Sequence, residues 1–289
     1  MWTLAAVWGG SYVLIKWGLE SLEPAFLVFS RLVLAALVLG VLAAQRGALA
    51  LLRAKLPQLF LLAAMQVAVP FVLLTYGEQH IPSSFTGVLV ATAPIFTAIF
   101  VTAGIGAEAR LQPWALAGIG VGIVGIALLF GVDLTGSAEE ALGGLMVIGT
   151  AFGYAAGAVY LRHEFLGFQP VGVAAGSMAC SALLVLPLAL FQIPDAVSLK
   201  SSVAVAALGM LGTGIAFWIF YTLIHSVGAA KASVVAYLAP GFALAYGALF
   251  LSEAITVGSA GGLVLILAGS WLAAEGRAPW HPKPVPVPA

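Results

Sequence analysis

The stretch VVAYLAPGFALAYGALFLSE, residues 234–253, is apolar enough to cross a membrane, yet Pro240 interrupts it. A second stretch, VLVATAPIFTAIFVTAGIGAE, residues 88–108, carries Pro94 at nearly the same place. A proline inside a helix removes one backbone hydrogen bond and frees a carbonyl group. The two stretches therefore predict interrupted helices in an apolar setting, and their likeness indicates an internal repeat.

The composition of the whole chain is that of an integral membrane protein. Of its 289 residues, 62% are apolar and 8% charged, and the mean hydropathy is +1.12; a soluble domain carries about 25% charged residues. Unpaired backbone groups are costly in lipid, and crossing takes about 20 apolar residues, so we predict an all-α membrane protein. The predicted transmembrane helices are ten, at residues 2–19, 25–44, 57–76, 84–103, 112–131, 142–161, 170–191, 203–223, 229–250 and 255–274.

The repeat relates the two halves of the chain. A shift of about 145 residues aligns Tyr76 with Tyr221, Pro94 with Pro240, Glu108 with Glu253, Gly118 with Gly262 and Gly125 with Gly269. Each half holds five segments, an odd number, so the second half enters the membrane from the opposite side. The prediction is two inverted five-helix repeats, a pattern typical of secondary transporters. The predicted divisions are a first repeat (1–131), an outer loop (132–141), a second repeat (142–274) and a Pro-rich cytoplasmic tail (275–289).

The basic residues predict the orientation. With a cytoplasmic N-terminus, Lys200 is the one basic residue on the outer connections. This asymmetry follows the positive-inside rule and predicts that both termini face the cytoplasm. The inner connections and the tail then collect Arg46, Arg53, Lys55, Arg110, Arg162, Lys231, Arg277 and Lys283.

These features together resemble a known family. The order of segments, the motif AAVWGGSYVLIK (residues 5–16), Arg31 early in the second segment and the repeated pattern are similar to the EamA family of drug/metabolite transporters. Within it, the chain resembles the aromatic amino-acid exporters of the YddG type. The resemblance implies a central cavity bounded mainly by segments 1, 3, 4, 6, 8 and 9, and export across the plasma membrane, here a bacterial inner membrane.

Candidate residues for the cavity are polar and aromatic side chains within the segments. Gln66 is a buried amide that needs a partner, and both a neighbouring carbonyl and a substrate carboxylate or ammonium group suit it. Trp218, Tyr221 and His225 share one helical face, which indicates either a cavity wall or an interfacial belt. The substrate-binding candidates are Trp8, Tyr12, Gln66, Tyr76, His80, Tyr154, Trp218, Tyr221 and Tyr237.

Prolines and two charges complete the candidate site. Pro70, Pro94 and Pro240 are candidates for gating kinks, with simple packing kinks as the alternative. Lys16 is at the end of the first segment, where a long side chain can extend to the interface. Arg31 is about 10 Å inside the second segment by helical rise. It is expected either to pair with Glu20, Glu23 or a helix-end carbonyl, or to hold a substrate carboxylate.

The residues that are missing limit the function further. The sequence contains no P-loop for ATP and no metal-ligand spacing, and its connections are too short for a catalytic domain. We therefore predict no catalytic residues, no cofactor and no metal. All eleven acids fall at predicted helix ends or in loops, which predicts transport without obligatory proton or sodium coupling.

The predicted function is secondary transport. A carrier would export small amphiphilic metabolites, most suitably aromatic or other neutral apolar amino acids, by alternating access. The alternatives are a channel-like facilitator and a multi-pass membrane enzyme. The expected partners are the small-molecule substrate and the lipid bilayer, with no nucleic acid; the sequence leaves the oligomeric state open.

Overall fold

The computed structural model describes residues 1–102, 113–133, 137–227, 232 and 235–275, and every regular element within them is helical. The apolar runs form helices because each backbone group is then paired within its own segment. The α-helices are α1 Trp2–Gly18, α2 Pro24–Gln45, α3 Leu56–Ala63, α4 Val69–His80, α5 Ser83–Val90, α6 Ala93–Thr102, α7 Pro113–Asp133, α8 Ala138–Phe165, α9 Pro170–Ala189, α10 Leu199–Ala207, α11 Ala216–Val227, α12 Val235–Leu251 and α13 Val257–Glu275.

Five helical stretches in these ranges are long and apolar enough to cross a membrane. Shorter apolar helices accompany them, and the all-α membrane class is thereby confirmed. The number of ten spans stays a prediction, because the other segments hold shorter helices or run into residues outside the described ranges. The five long stretches are Pro24–Gln45, Leu52–His80, Ala138–Phe165, Pro170–Ala189 and Leu199–Ser226.

Two π-helical stretches interrupt the third and eighth predicted segments. Ala64–Ala68 joins α3 to α4, and Leu208–Ile215 joins α10 to α11. The wider turn of a π-helix leaves backbone groups without their usual α-helical partners, and such bulges are frequent at functional sites. The two stretches are separated by about the offset of the sequence repeat, so corresponding helices carry the same irregularity.

The two repeated prolines act differently in the structure. The fourth segment breaks at residues 91–92 into α5 and α6, and Pro94 lies in the first turn of α6. Pro240, by contrast, lies inside the continuous helix α12. At the break, Thr92 donates its hydroxyl to the Leu89 carbonyl oxygen at 2.7 Å, which satisfies one carbonyl group of the last turn of α5. Pro94 therefore begins a helix, whereas the helix around Pro240 is continuous and the interruption expected there is absent.

The helix pairings remain the same when the two halves of the chain are exchanged. Helix α2 packs against α9, and α7 packs against α13, and each pair joins corresponding helices. Helix α1 packs against α12, while its counterpart α8 packs against α5 and α6. Exchanging the halves leaves these pairings unchanged, which supports a twofold relation between them. The inversion of that repeat in a membrane stays a prediction.

Glycines allow the contact between α7 and α13. A Cβ atom on Gly269 would lie 2.6 Å from the carbonyl oxygen of Gly118, and one on Gly125 would lie 2.9 Å from the backbone nitrogen of Ile266. A side chain at either position would clash with the opposite backbone. Small residues on both helices thus allow the close approach of α7 and α13.

The two ends of the helix bundle carry different contacts. At one end, Lys55 pairs with Glu164 at 2.9 Å, and Arg162 Nη1 donates to the Ile224 carbonyl oxygen at 3.1 Å. At the other end, Lys200 pairs with Glu20 at 2.5 Å. These ends correspond to the predicted inner and outer sides, and we refer to them by those names below.

Candidate functional site

A cavity of about 100 Å³ lies between helices from both halves of the bundle. Its walls come from the six segments that the resemblance implied, and from α2 through Arg31. The lining residues are Trp8, Ser11, Tyr12, Ile15, Arg31, Gln66, Phe71, Leu74, Gly87, Val90, Ala91, Ala93, Pro94, Thr97, Tyr154, Ala155, Ala158, Phe217, Phe220, Ala239 and Pro240.

Arg31 is the one charged side chain among these lining residues. It is 3% exposed, its Nε donates to Thr213 Oγ1 at 3.0 Å, and its guanidinium lies 3.9 Å from the centre of the Phe71 ring. Its Nη1 has no hydrogen-bond partner among the residues that the structure describes. Arg31 therefore faces Thr213 and not the acids Glu20 and Glu23 near the outer end of α2, because the π-helical stretch brings Thr213 beside it. A donor remains for an anionic group.

Gln66 lies in the first π-helical stretch and is 1% exposed. Within the described ranges its Oε1 has no hydrogen-bond partner, although the residue lines the cavity. Neighbouring Gly157 on α8 makes room for it, since a Cβ atom there would lie 2.6 Å from the Gln66 Cβ atom. The amide oxygen is thus a buried acceptor without a partner, and that is costly unless a ligand or water supplies a donor.

Aromatic rings form much of the remaining wall. Trp8 contacts Phe220 edge to face with ring centres 4.9 Å apart, and Phe71 contacts Phe217 at 5.7 Å. The indole nitrogen of Trp8 donates to the Gly212 carbonyl oxygen at 3.2 Å, within the second π-helical stretch. This bond fixes the orientation of the Trp8 ring. This part of the wall is therefore apolar and aromatic.

The predicted candidates are distributed unevenly around this cavity. Trp8, Tyr12, Gln66 and Tyr154 line it together with Arg31, Pro94 and Pro240. The Tyr76 hydroxyl instead accepts a hydrogen bond from Gln192 Nε2 at 2.8 Å near the outer end. Pro70 packs towards α8, where its carbonyl oxygen accepts from the Thr150 hydroxyl at 3.0 Å.

The other candidates lie away from the lining. Tyr221 is fully buried, with its hydroxyl 3.4 Å from Ser177 Oγ on α9. Trp218 packs under Arg46, whose guanidinium is 4.6 Å from the indole ring, towards the inner end. His80, the last residue of α4, is not among the lining residues. The Tyr237 side chain lies outside the described residues.

The outer end of the cavity is closed by hydrogen bonds between helix termini. Lys16 at the end of α1 donates from Nζ to the backbone carbonyl oxygens of Glu78 and Ile81, the latter at 2.9 Å. Glu253, after α12, accepts from the backbone nitrogens of Ser83 and Ser84 at 2.8 and 2.9 Å. A carboxylate at the N-terminus of α5 is favoured by the helix dipole. Lys16 is therefore tied to α4 rather than extended into the interface.

Sequence reasoning did not single out Glu78 and Thr213. Glu78 lies two residues beyond the predicted end of the third segment, but α4 continues to His80 and the side chain is fully buried. Thr213 sits in a glycine-rich run that gave no polar signal. The aromatic residues Phe71, Phe217 and Phe220 were not predicted either. Apolar residues occur throughout membrane helices, so their presence does not indicate which of them line a cavity.

The arrangement offers polar and apolar groups that can bind a ligand. Arg31 and Gln66 offer a donor and an acceptor for a polar group, and the rings offer an apolar surface. In the part of the chain that the structure describes, no group of three His, Cys, Asp or Glu side chains is placed to hold a metal ion.

Comparisons with known proteins agree with this description. The model of the EamA-like transporter family matches residues 1–131 and again residues 141–274. The uncharacterized inner membrane transporter YedA of Escherichia coli is 31% identical over 260 residues, covering 86% of this chain and 80% of YedA. A probable terminal-alkyne amino-acid exporter of Streptantibioticus cattleyicolor is 29% identical over 269 residues, covering 88% of this chain and 86% of the exporter. One solved crystal structure has the same fold, with a TM-score of 0.71 at 19% identity over 94% of each chain.

Proposed function

This chain belongs to the EamA-like transporter family, and from that premise we propose that it is a secondary carrier exporting neutral amino acids with apolar or aromatic side chains. A transport role follows from the family, and a multi-pass location in the plasma membrane follows from its relatives and its apolar helices. The substrate class is our inference from the cavity. The amino-acid exporter among the relatives is in keeping with it.

The observation that carries the proposal is a single buried guanidinium in an otherwise uncharged cavity. Arg31 presents Nη1 without a partner, and Arg is well suited to binding carboxylates because its donors form a planar fork. Sugar phosphates and dianions call for several cationic groups, and the lining residues hold one. A single carboxylate therefore matches the charge of the cavity.

Gln66 supplies the complementary group. Its amide oxygen accepts a hydrogen bond, and a substrate ammonium group donates three. A zwitterion bound between Arg31 and Gln66 satisfies both buried groups at once and brings no net charge into the membrane. Both residues lie within one cavity, and this supports an α-amino acid over a simple carboxylic acid.

The substrate side chain then meets the aromatic wall of Trp8, Phe71 and Phe217. Ring contacts such as those already present among these residues contribute about 0.5–1.5 kcal/mol each beyond the area they bury. An apolar side chain gains from this surface, whereas a charged one would lose its hydration without a partner. The wall therefore supports selection of neutral apolar or aromatic amino acids.

Alternating access is supported by the repeat. The outer end is closed around Lys16 and Glu253, and Pro94 and Pro240 line the cavity from corresponding segments of the two halves. A carrier with two equivalent halves can close at one end while opening at the other. We propose that the two proline-containing segments, α5 with α6 and α12, move in this exchange.

Binding of matched analogues tests the proposal. We expect L-phenylalanine to raise the unfolding temperature of the purified protein, because a ligand stabilises the folded state by RT ln(1 + [L]/Kd), about 2.7 kcal/mol at 100 times Kd. L-phenylalaninamide lacks the carboxylate, and 3-phenylpropionate lacks the ammonium group, so each should bind at least tenfold more weakly. Equal binding of all three compounds, or stabilisation by phosphorylated sugars alone, would contradict the proposed substrate class.

A further inference from the structure

Glu78 is a fully buried carboxyl group, and neither of its oxygens has a donor within hydrogen-bond geometry among the described residues. It lies on α4, one helical turn above Leu74, which lines the cavity. It therefore separates the cavity from the outer end of the bundle. Buried polar groups nearly always have partners, so this exception calls for a physical explanation.

The two charged neighbours of Glu78 at the outer end are engaged elsewhere. Lys16 donates to the backbone carbonyl oxygens of Glu78 and Ile81 rather than to the carboxyl group. The carboxylate oxygens of Glu253 both accept backbone hydrogen bonds at the start of α5. The hydroxyl of Thr86 is close enough to interact with the Glu78 carboxyl group, but its single proton is donated to the Pro82 carbonyl oxygen at 3.2 Å.

The other ionisable groups that face Glu78 come from three helices. Electrostatic interactions connect it with Tyr12 on α1, Arg31 on α2 and Tyr154 on α8, in addition to Lys16 and Glu253. The cation Arg31 is engaged with Thr213 and Phe71. The carboxylate of Glu253 opposes a second negative charge nearby. None of these groups forms a hydrogen bond or an ion pair with the Glu78 carboxyl group.

An ionised carboxylate in this position would be buried without a partner, whereas a protonated carboxyl group is neutral and costs far less to bury. When the outer end is closed, the protonated form of Glu78 is therefore favoured over the carboxylate. When the outer ends of α1, α4 and α5 separate, water reaches Glu78 and the charged form becomes tolerable.

We propose that Glu78 is the proton-binding site of a substrate–proton antiport cycle, which rests on the proposed carrier function. With the outer end open, the Glu78 carboxylate takes up one proton from the outside and becomes a carboxylic acid. The neutral group permits the outer end to close. The proton then passes to the cavity and the inner side as a new substrate binds, and this restores the carboxylate.

The cycle moves one proton inwards for each substrate that leaves. It reverses the prediction of uncoupled transport, which rested on the absence of acids within the predicted segments. Glu78 was not included among acids within the segments, because the predicted third segment ended at residue 76.

Purified full-length protein in liposomes that contain a pH-sensitive dye tests the proposal. A mixture of neutral amino acids inside wild-type vesicles should drive proton entry and also support counterflow of labelled amino acid. E78Q keeps the shape of the protonated side chain. It should retain a counterflow rate within about twofold of wild type, and its rate of substrate-driven proton movement should fall at least tenfold. E139Q, at an exposed carboxyl group at the start of α8, is the matched control and should behave as wild type.

The outcomes separate the two proposals. Counterflow without proton entry in wild type, or proton entry in E78Q equal to wild type, would overturn proton binding by Glu78 and leave the carrier in place. No counterflow in wild type would overturn the carrier and the cycle together. If E78Q is not recovered in folded form, E78D retains a carboxyl group and should move protons, with a shifted pH dependence; an unchanged pH profile in E78D would count against the proposal.

A second measurement needs no substrate. The infrared spectrum of the wild-type protein at neutral pH should contain the carbonyl stretching band of a protonated carboxyl group, and this band should be missing in E78Q and present in E139Q. An identical band in E78Q and wild type would overturn the assignment.

Discussion

Replacing Arg31 with glutamine separates a role in binding from a role in folding. Glutamine keeps a hydrogen-bonding group of intermediate length but removes the charge and the planar fork. A hydrogen bond to a charged group contributes about 1.5–3 kcal/mol, which corresponds to about tenfold to 150-fold in Kd. We expect R31Q to weaken binding of the substrate carboxylate by this factor.

The stability of the empty protein should respond much less. R31Q loses the hydrogen bond to Thr213, about 1 kcal/mol, and the contact of the cation with Phe71, about 2 kcal/mol. It also removes a buried charge that has no ionic partner among the described residues, and this offsets much of the loss. The net change in unfolding free energy should remain within about 2 kcal/mol.

Titration of L-phenylalanine against purified R31Q, followed by unfolding temperature, is the appropriate assay. Thr213→Val is the matched control, because it removes the Nε partner and leaves the guanidinium in place; its affinity should fall less than that of R31Q. Trp218→Ala lies outside the cavity lining and should bind within about twofold of wild type. Undiminished affinity in R31Q, or failure of R31Q to fold, would refute the reasoning and assign Arg31 to the structure alone.

Further predictions concern the orientation, the prolines and the outer end. An impermeant thiol reagent added to intact cells should label Ser198→Cys but not Gln45→Cys, and the reverse pattern would invert the topology. Pro94→Ala and Pro240→Ala should each leave the protein folded and lower the transport rate several-fold, since both line the cavity; normal rates in both would make the prolines packing features. Lys16→Met removes the two bonds to the end of α4, so amide hydrogen exchange at the outer ends of α4 and α5 should accelerate. Unchanged exchange there would show that Lys16 does not hold the outer end closed.

The class of the protein was predictable because it depends on composition and helical length. In a chain with 8% charged residues and long apolar runs, those runs are stable in lipid as helices, because a helix pairs all of its own backbone groups. The packing of Gly118 and Gly125 was predictable for a related reason, since only small residues allow such close backbone contact. These properties are local in the sequence.

The residues that line the cavity were predictable only in part. Gln66 and Arg31 stood out because polar groups are rare in apolar segments. The spacing placed Trp218 and Tyr221 on one helical face, but spacing does not tell which neighbour that face meets. In the structure Tyr221 contacts Ser177, and the cavity is lined instead by Phe217 and Phe220, the residues that directly precede Trp218 and Tyr221.

The π-helical stretches explain much of the remaining difference. They change the phase of the helices at Ala64–Ala68 and Leu208–Ile215, and the pattern of residues does not indicate them. Thr213 reaches Arg31 through the second stretch. Glu78 was missed for another reason, since segment boundaries read from hydropathy carry an error of about two residues.

The central claim is carrier transport of neutral amino acids, and counterflow tests it most directly. Liposomes that contain the purified protein and an excess of one unlabelled amino acid are diluted into a trace of the same amino acid in labelled form, with no pH or sodium gradient. The carrier predicts that internal phenylalanine, leucine or a related neutral amino acid accelerates entry of label several-fold above empty vesicles, and that internal lysine or glutamate does not. Entry of label at the same rate with and without internal amino acid, for every compound in the panel, would contradict the account.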